Sequence, residues 1–313
     1  MRAREAHILL LLLLSVIWGT AFLFVDLGLD AFSPFLYAAL RFDIAGPLLL
    51  LAAYLWSREG ILPRGRDQWT VILATAVLNI LGYHALLYWG QQYTYEAVAA
   101  VIVGLNPILT TVFSRAILPD ERVGLIGFAG LALGLGGIAV LAALKGGAVF
   151  DLQGLGEIAC AAAVACWALG TVVSRRIDHK MAPANLTAWQ MLVGAAMLHP
   201  LALVAEGGGT AQWTQTGVVS LLYLALLSSG FGYFLFFYLV PRLGPIRTAV
   251  VSTLTPISAT AAGVVVLDDP VEVRMLIAFA LIVISFLLVV EPWKARSPPS
   301  RPPPTPDGSS SVE

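Results

Sequence analysis

Charged side chains are scarce in this sequence. Asp, Glu, Lys and Arg make up 12% of its 313 residues, and the formal net charge is -1. Soluble domains carry about 25% charged residues, and proteins that bind nucleic acid need a basic surface. The composition therefore excludes a soluble globular domain and a nucleic-acid partner.

Cysteine and histidine are also rare. The four histidines are scattered at positions 7, 84, 179 and 199, and the sequence contains no His-Glu-x-x-His pattern. Cys160 and Cys166 lie six positions apart in one apolar segment, on different faces of a helix, which favours packing over a disulfide or a metal site. The sequence therefore predicts no enzyme, no metal and no cofactor.

Hydrophobic residues, by contrast, make up 58% of the chain, and the mean hydropathy is +0.85. Such values predict an all-α integral membrane protein. A helix needs roughly 20 apolar residues to cross the bilayer, and the chain offers ten such spans. They run near 7–28, 35–56, 69–91, 96–117, 124–144, 155–174, 185–205, 217–240, 246–267 and 273–291. The Pro- and Ser-rich residues 292–313 predict a disordered cytoplasmic tail.

The sequence repeats weakly at a fixed offset of 149 residues. Trp18 falls on Trp167, Pro34 on Pro183, Pro107 on Pro256 and Asp120 on Asp269. The repeat divides the chain into residues 1–145 and 150–291, each with five spans. Because five is odd, the second copy must enter the membrane upside down, as in secondary transporters.

The basic residues predict the orientation, since Lys and Arg gather in cytoplasmic loops. If the N-terminus is inside, the outer loops hold only Lys145 and Arg274, and the other Lys and Arg residues outside the spans fall on the cytoplasmic side. We therefore expect both termini in the cytoplasm.

Short motifs occur in both copies. The first carries WGTAF at Trp18, LRF at Arg41, LNP ending at Pro107 and LPDER at 118–122, and the second carries CWALG around Trp167 and LTP ending at Pro256. In this order they resemble the drug/metabolite transporter superfamily, specifically its EamA-like members. The second copy departs from the first in having Gln190 at the position of Arg41 and Pro270 at that of Glu121.

The resemblance implies a ten-helix fold of two inverted five-helix repeats. It further implies export of small metabolites, often amino acids, or of drugs across a bacterial inner membrane, through a central cavity that opens alternately to each side. A flippase for lipid-linked or hydrophobic substrates is the alternative, because the expected cavity residues are mostly apolar. A monomer and a homodimer both fit the sequence, which specifies neither substrate, direction nor proton coupling.

Polar and aromatic side chains near mid-span are the candidates for lining such a cavity. Trp18 is too far from either end of its span for an interfacial tryptophan. Asn79 and Tyr83 share a helix face by their i, i+4 spacing, and Ser229 and Tyr233 repeat that spacing in the second copy. Packing and interhelical hydrogen bonds are the alternative explanation. The predicted cavity residues are Trp18, Asn79, Tyr83, His84, Asn106, Trp167, Ser229, Tyr233 and Thr255.

Two prolines occupy equivalent positions in the fourth and ninth spans. Pro107 and Pro256 each remove a backbone hydrogen bond, so that the carbonyl four residues earlier loses its donor. Paired helix breaks in corresponding spans point to a hinge or a binding site. Asn106 and Thr255, immediately before the prolines, are placed to satisfy the freed carbonyls or to face substrate.

Two charges interrupt the second span, where an ionised group is costly. Arg41 is predicted to reach Asp26 or Glu96 near the outer surface, or to line the outer mouth of the cavity. Asp43 lies deeper, and two hypotheses stay open for it. It is either a proton-coupling or substrate-amine site, or a carboxyl held neutral by hydrogen bonds within the bundle.

Overall fold

The computed structural model describes residues 2–56, 61–93, 102–118, 124–144, 155–266 and 273–290. These residues are helical, apart from short connections and one β-bridge between Phe32 and Ala211. The helices are α1 Arg2–Leu29, α2 Pro34–Trp56, α3 Arg66–Gln91, α4 Asn106–Ile117, α5 Leu125–Leu144, α6 Leu155–Arg176, α7 Pro183–Glu206, α8 Gln215–Leu243, α9 Pro245–Ala249, α10 Val251–Val266 and α11 Val273–Val290.

Six of the described helices, α1, α2, α3, α6, α7 and α8, are long and apolar enough to cross a membrane. They coincide with the predicted first to third and sixth to eighth spans. α5 and α11 contain shorter apolar helices, Leu125–Gly137 and Leu276–Val289. The predicted tail and the start of the predicted fourth span lie outside the described residues.

α2 and α7 pack against each other and start alike. Each begins at a proline, Pro34 or Pro183, where the missing N–H costs no helical hydrogen bond. Glu206 at the end of α7 accepts hydrogen bonds from Ser33 Oγ and Phe35 N, both at 2.7 Å. The carboxylate therefore caps α2, and the two helices run antiparallel.

The helix contacts follow a regular scheme. α2 packs on α7, α5 on α11, α1 on α10 and on α8, and α6 on α4 and on α3. If every helix is exchanged for its counterpart 149 residues away, the first two pairs map onto themselves. α1–α10 then maps onto α4–α6, and α1–α8 onto α3–α6.

Two long helices contain π-helical segments, Ala76–Gly82 in α3 and Tyr223–Tyr233 in α8. The offset of 149 places residues 76–82 on 225–231, so the segments occupy equivalent positions. A π-helical segment rotates less per residue than an α-helix, so it changes the direction of the side chains that follow it. Such segments are frequent at functional sites. The hydropathy pattern predicted the helices but not these segments.

The predicted helix breaks lie just before the prolines. Leu105 N donates to Ile102 O at 3.0 Å in one copy, and Thr253 N donates to Val250 O at 3.0 Å in the other. Pro107 thus falls in the first turn of α4 and does not interrupt a helix, which corrects the expectation for that residue.

Pro256 lies inside α10, as expected. The hydroxyl of Thr255 donates to Ser252 O at 2.8 Å, and this is the carbonyl that Pro256 leaves without its usual donor. Thr255 therefore performs the first of the two roles that the sequence predicted for it.

Candidate functional site

A cavity lies within the bundle, between α1, α2, α3, α6, α8, α10, the start of α4 and the segment that precedes it. The space open to the centre of a water molecule is about 90 Å³. Of the predicted cavity residues, the following line it: Trp18, Tyr83, His84, Asn106, Trp167, Tyr233 and Thr255. The cavity wall therefore comes from both halves of the chain.

Aromatic rings form one side of the cavity. Trp18 and Trp167 meet edge to face with ring centroids 5.5 Å apart. Tyr83 and Tyr233 approach Trp167 with centroids at 5.1 and 5.2 Å. Edge-to-face and tilted aromatic contacts stabilise the packing of such rings, so this side presents an aromatic, largely apolar surface.

His84 and Tyr233 join the two π-helical regions. His84 Nδ1 lies 3.1 Å from Ile80 O, and Nε2 lies 3.1 Å from the Tyr233 hydroxyl. These partners suit a neutral imidazole that donates from Nδ1 to the carbonyl and accepts the tyrosine proton at Nε2. Both ring nitrogens of His84 are therefore engaged in hydrogen bonds within the wall.

Arg41 is the charged group in the wall. It is 4% exposed, and its Nε donates to Ser229 Oγ at 2.8 Å. Nη1 donates to the Tyr88 hydroxyl at 2.7 Å, and Nη2 reaches Ser228 Oγ at 3.4 Å. All three acceptors are uncharged hydroxyls.

The structure thus places Arg41 on the cavity, and its predicted position at the outer mouth stays a prediction. The other prediction named Asp26 and Glu96 as partners. The Asp26 side chain and Glu96 lie outside the described part of the chain. Among the side chains that are described, no carboxylate forms an ion pair with Arg41.

The π-segment of α8 connects Arg41 with the aromatic side. Ser228 O accepts a hydrogen bond from Trp18 Nε1 at 3.2 Å, while Ser228 Oγ faces Arg41. Ser229, the next residue, holds Arg41 through its hydroxyl. One turn of α8 therefore fixes both the indole of α1 and the guanidinium of α2.

Polar groups border the cavity at the helix breaks. Asn106 Nδ2 donates to Ser252 Oγ at 2.9 Å, and Thr110 Oγ1 donates to Asn106 Oδ1 at 3.2 Å. Asn106 therefore ties α4 to α10 while its side chain borders the cavity.

Asn79 lies behind the wall, between α3 and α6. Its Nδ2 donates to Trp167 O at 3.0 Å, and its Oδ1 has no hydrogen-bond partner in the described part of the protein. Asn79 thus borders the cavity through Trp167 and is not itself among the lining residues.

Asp43 points away from the cavity. Its Oδ2 lies 2.7 Å from His199 Nε2 on α7, and both side chains are partly exposed on the outer surface of the bundle, at 42% and 44%. The reason is helix geometry, since residues two apart on a helix point about 200° apart. With Arg41 facing inward, Asp43 must face outward.

Gln190 on α7 is the counterpart of Arg41. It is fully buried, and neither its amide nitrogen nor its amide oxygen has a partner among the described residues. Gln190 is not among the residues that line the cavity. The two copies therefore differ at this position in chemistry and in environment.

Sequence reasoning missed three polar lining residues, Tyr88, Gln91 and Ser252. Tyr88 follows His84 by four residues, so helical spacing from a predicted residue was the available signal. The expected packing role of Cys160 and Cys166 fits two free thiols. In the described ranges no three His, Cys, Asp or Glu side chains converge as metal ligands.

Comparisons with known proteins agree with this fold. A sequence model of the EamA-like transporter family matches residues 6–143 and again residues 154–291. The uncharacterized transporter YvbV of Bacillus subtilis is 30% identical over 293 residues, 92% of each chain. The uncharacterized inner membrane transporter YedA of Escherichia coli is 27% identical over 278 residues, 88% of each chain. One protein of solved crystal structure superposes with a TM-score of 0.80 at 25% identity, over 93% of this chain and 99% of the other. The chain belongs to the EamA-like transporter family of the drug/metabolite transporter superfamily.

Proposed function

We propose that this protein is a secondary transporter that exports small amphipathic metabolites, such as amino acids, across the bacterial inner membrane by alternating access. The observation that carries the proposal is the cavity within the bundle, where aromatic rings and a few placed polar groups surround a space between helices from both halves. Binding sites for small molecules have this mixture of apolar walls and sparse polar groups. The proposed partners of the protein are the lipid bilayer and the substrate.

Three observations support ten spans in two inverted five-helix repeats. The helix contacts map onto one another under the 149-residue offset. The π-segments of α3 and α8 occupy equivalent positions, and the helix breaks before Pro107 and Pro256 lie within one residue of equivalence. Transporters of this plan place their site at the interface of the repeats, beside interrupted helices. The bias of Lys and Arg supports cytoplasmic termini.

The cavity is asymmetric, and this supports alternating access. Arg41 and Tyr88 line it, whereas their counterparts Gln190 and Phe237 are buried away from it. In the proposed orientation, Arg41 lies towards the outer surface. Rocking one repeat against the other would exchange these environments and open the cavity around Gln190 to the cytoplasm.

The size of the cavity favours small metabolites over lipid-linked substrates. About 90 Å³ is open to water centres, against roughly 300–1,000 Å³ for sites that hold drug-sized molecules. The head group of a lipid-linked substrate would need a larger volume than this cavity provides.

Counterflow in proteoliposomes tests the proposal. Vesicles that contain the purified protein are loaded with unlabelled amino acids and related metabolites, and labelled candidates are added outside one at a time. We expect one class to accumulate and Trp18→Ala to abolish the accumulation. Trp213→Ala is the matched control, because Trp213 is 65% exposed and is not among the lining residues.

Two outcomes would contradict the proposal. If folded protein accumulates no soluble candidate, the flippase alternative is favoured, and vesicles that carry a fluorescent lipid-linked probe test it directly. If cells that overproduce the protein take up the accumulating compound faster and do not release it, the direction is import.

A further inference from the structure

We propose that Arg41 is the binding site for a substrate carboxylate, so that the protein carries small monocarboxylates with an apolar or aromatic body. The inference rests on the proposed transport function and specifies its substrate class. It is argued from the hydrogen bonds of Arg41, its burial and the charges around the cavity.

A buried guanidinium needs an anion. Removing a charge from water is costly even after the protein relaxes, and the three hydroxyls around Arg41 carry no charge to offset that cost. The described side chains supply no carboxylate partner. A substrate anion would complete the site.

The hydrogen bonds leave capacity for such an anion. A guanidinium has five N–H groups, and the bonds to Ser229, Tyr88 and Ser228 use one each on Nε, Nη1 and Nη2. One N–H on each terminal nitrogen has no acceptor among the described residues. Arg41 borders the cavity, and a carboxylate accepts two such N–H groups as a bidentate pair.

The positive charge of Arg41 favours a substrate group that carries a single negative charge. Arg41 is the one Lys or Arg residue in the described lining of the cavity. A carboxylate matches one cation, whereas a phosphate monoester carries a charge of about -1.5 to -2 near neutral pH. The excess charge would remain unpaired in a site of low dielectric.

The aromatic rings of the cavity account for the rest of the substrate. Ser228 ties Arg41 to Trp18 through its hydroxyl and its carbonyl, so the guanidinium and the aromatic rings keep a fixed relation. An anchored carboxylate would place the substrate's body against Trp18 and Trp167. A compound with the body but without the carboxylate would lose the anchor.

Calorimetric titration of the purified full-length protein tests this with matched ligands. Indole-3-acetate, indole-3-acetamide and phenyl phosphate are titrated into wild type, Arg41→Gln, Arg41→Lys and Ser229→Ala. We expect wild type to bind the acetate roughly ten- to hundredfold more tightly than the amide, the range of a charged hydrogen bond. Arg41→Gln should lose that preference, Arg41→Lys should keep part of it, and Ser229→Ala should reduce it severalfold.

Asp43→Asn is the control, because Asp43 is on the same helix but outside the cavity. A preference for acetate that survives in Arg41→Gln would overturn the assignment. Phenyl phosphate that binds as tightly as the acetate would overturn the choice of a monoanion. If Arg41→Gln does not fold, an unchanged preference in Ser229→Ala and Arg41→Lys alike would count against the site.

Counterflow separates the two proposals. Accumulation of neutral or cationic compounds, equal in wild type and Arg41→Lys, would overturn the carboxylate site and leave the transport function standing. No accumulation of any soluble compound, despite calorimetric binding of acetate, would overturn the transport function and leave the site standing.

Discussion

Trp18 and Trp167 stand at the same position of the two sequence copies and are in contact, with ring centroids 5.5 Å apart. A residue can touch its own counterpart only near the axis that relates the two copies. His84 and Tyr233, also 149 positions apart, form a second pair of this kind. Both pairs line the cavity, and under the proposed plan of inverted repeats they would lie beside the axis that relates the two copies.

The tryptophan contact predicts a coupling energy. In a double-mutant cycle with Trp18→Leu and Trp167→Leu, we expect the effects on the free energy of unfolding to be non-additive by about 0.5–1.5 kcal/mol. Denaturant titration in detergent measures it. Trp167→Leu combined with Trp213→Leu should be additive, and additivity in the first cycle would contradict the contact.

Tyr233→Phe removes one hydroxyl and leaves His84 Nε2 without its donor. A buried unsatisfied group costs about 1–3 kcal/mol, so we expect a lower midpoint of thermal unfolding. Tyr54→Phe provides the baseline, because Tyr54 is 65% exposed. Equal midpoints for the two variants would show that the hydrogen bond does not form.

Gly19, next to Trp18, packs α1 against α10. A Cβ at this position would lie 2.6 Å from Thr255 O, a backbone atom that cannot move aside easily. We expect Gly19→Ala to reduce both thermal stability and transport. Gly136→Ala is the matched control, since nothing lies within 4 Å of the added carbon. A fully active Gly19→Ala protein would exclude this close approach.

Asp43→Asn should leave the transport rate and its pH dependence unchanged. Asp43 pairs with His199 on the outer surface of the bundle and does not reach the cavity. Transport measured in proteoliposomes over a range of pH checks this. A changed pH profile would restore the hypothesis that Asp43 couples transport to protons.

The asymmetry of the cavity predicts different access at two positions. In a protein with Cys160 and Cys166 replaced by Ala, a polar thiol reagent should label Phe22→Cys from the outer side, because Phe22 lines the cavity. Gln190→Cys should be labelled from the cytoplasmic side. Equal labelling of Gln190→Cys from both sides would contradict alternating access around this residue.

Much of the fold was readable from the sequence because it follows from hydrophobic length. The bounds of α2 and α6 differ from the predicted spans by no more than two residues. The π-segments were not readable, because they depend on packing against neighbouring helices and not on hydropathy. The break before Pro107 was expected at the proline itself, but proline is tolerated in a first turn.

The candidate site was predicted in part for similar reasons. Trp18 and Trp167 were predicted from their positions within the spans, since a membrane tryptophan that lies away from the interface must have a role other than interfacial anchoring. The inward direction of Arg41 and the outward direction of Asp43 depend on how α2 rotates against α7, which sequence spacing alone does not fix. The spacing of the two residues predicted only that their side chains point in opposite directions.

In the proposed plan of two inverted repeats, the position of a residue relative to the axis that relates them determines what a substitution there can change. Trp18 and Trp167, which are in contact, would lie next to that axis and would keep nearly the same surroundings whichever side is open. Arg41 and Gln190 would lie off the axis and would exchange surroundings between the two proposed states. Substitutions at the tryptophans should therefore change how tightly cargo is held in both states, whereas a substitution at Arg41 should weaken binding only in the state in which Arg41 borders the cavity.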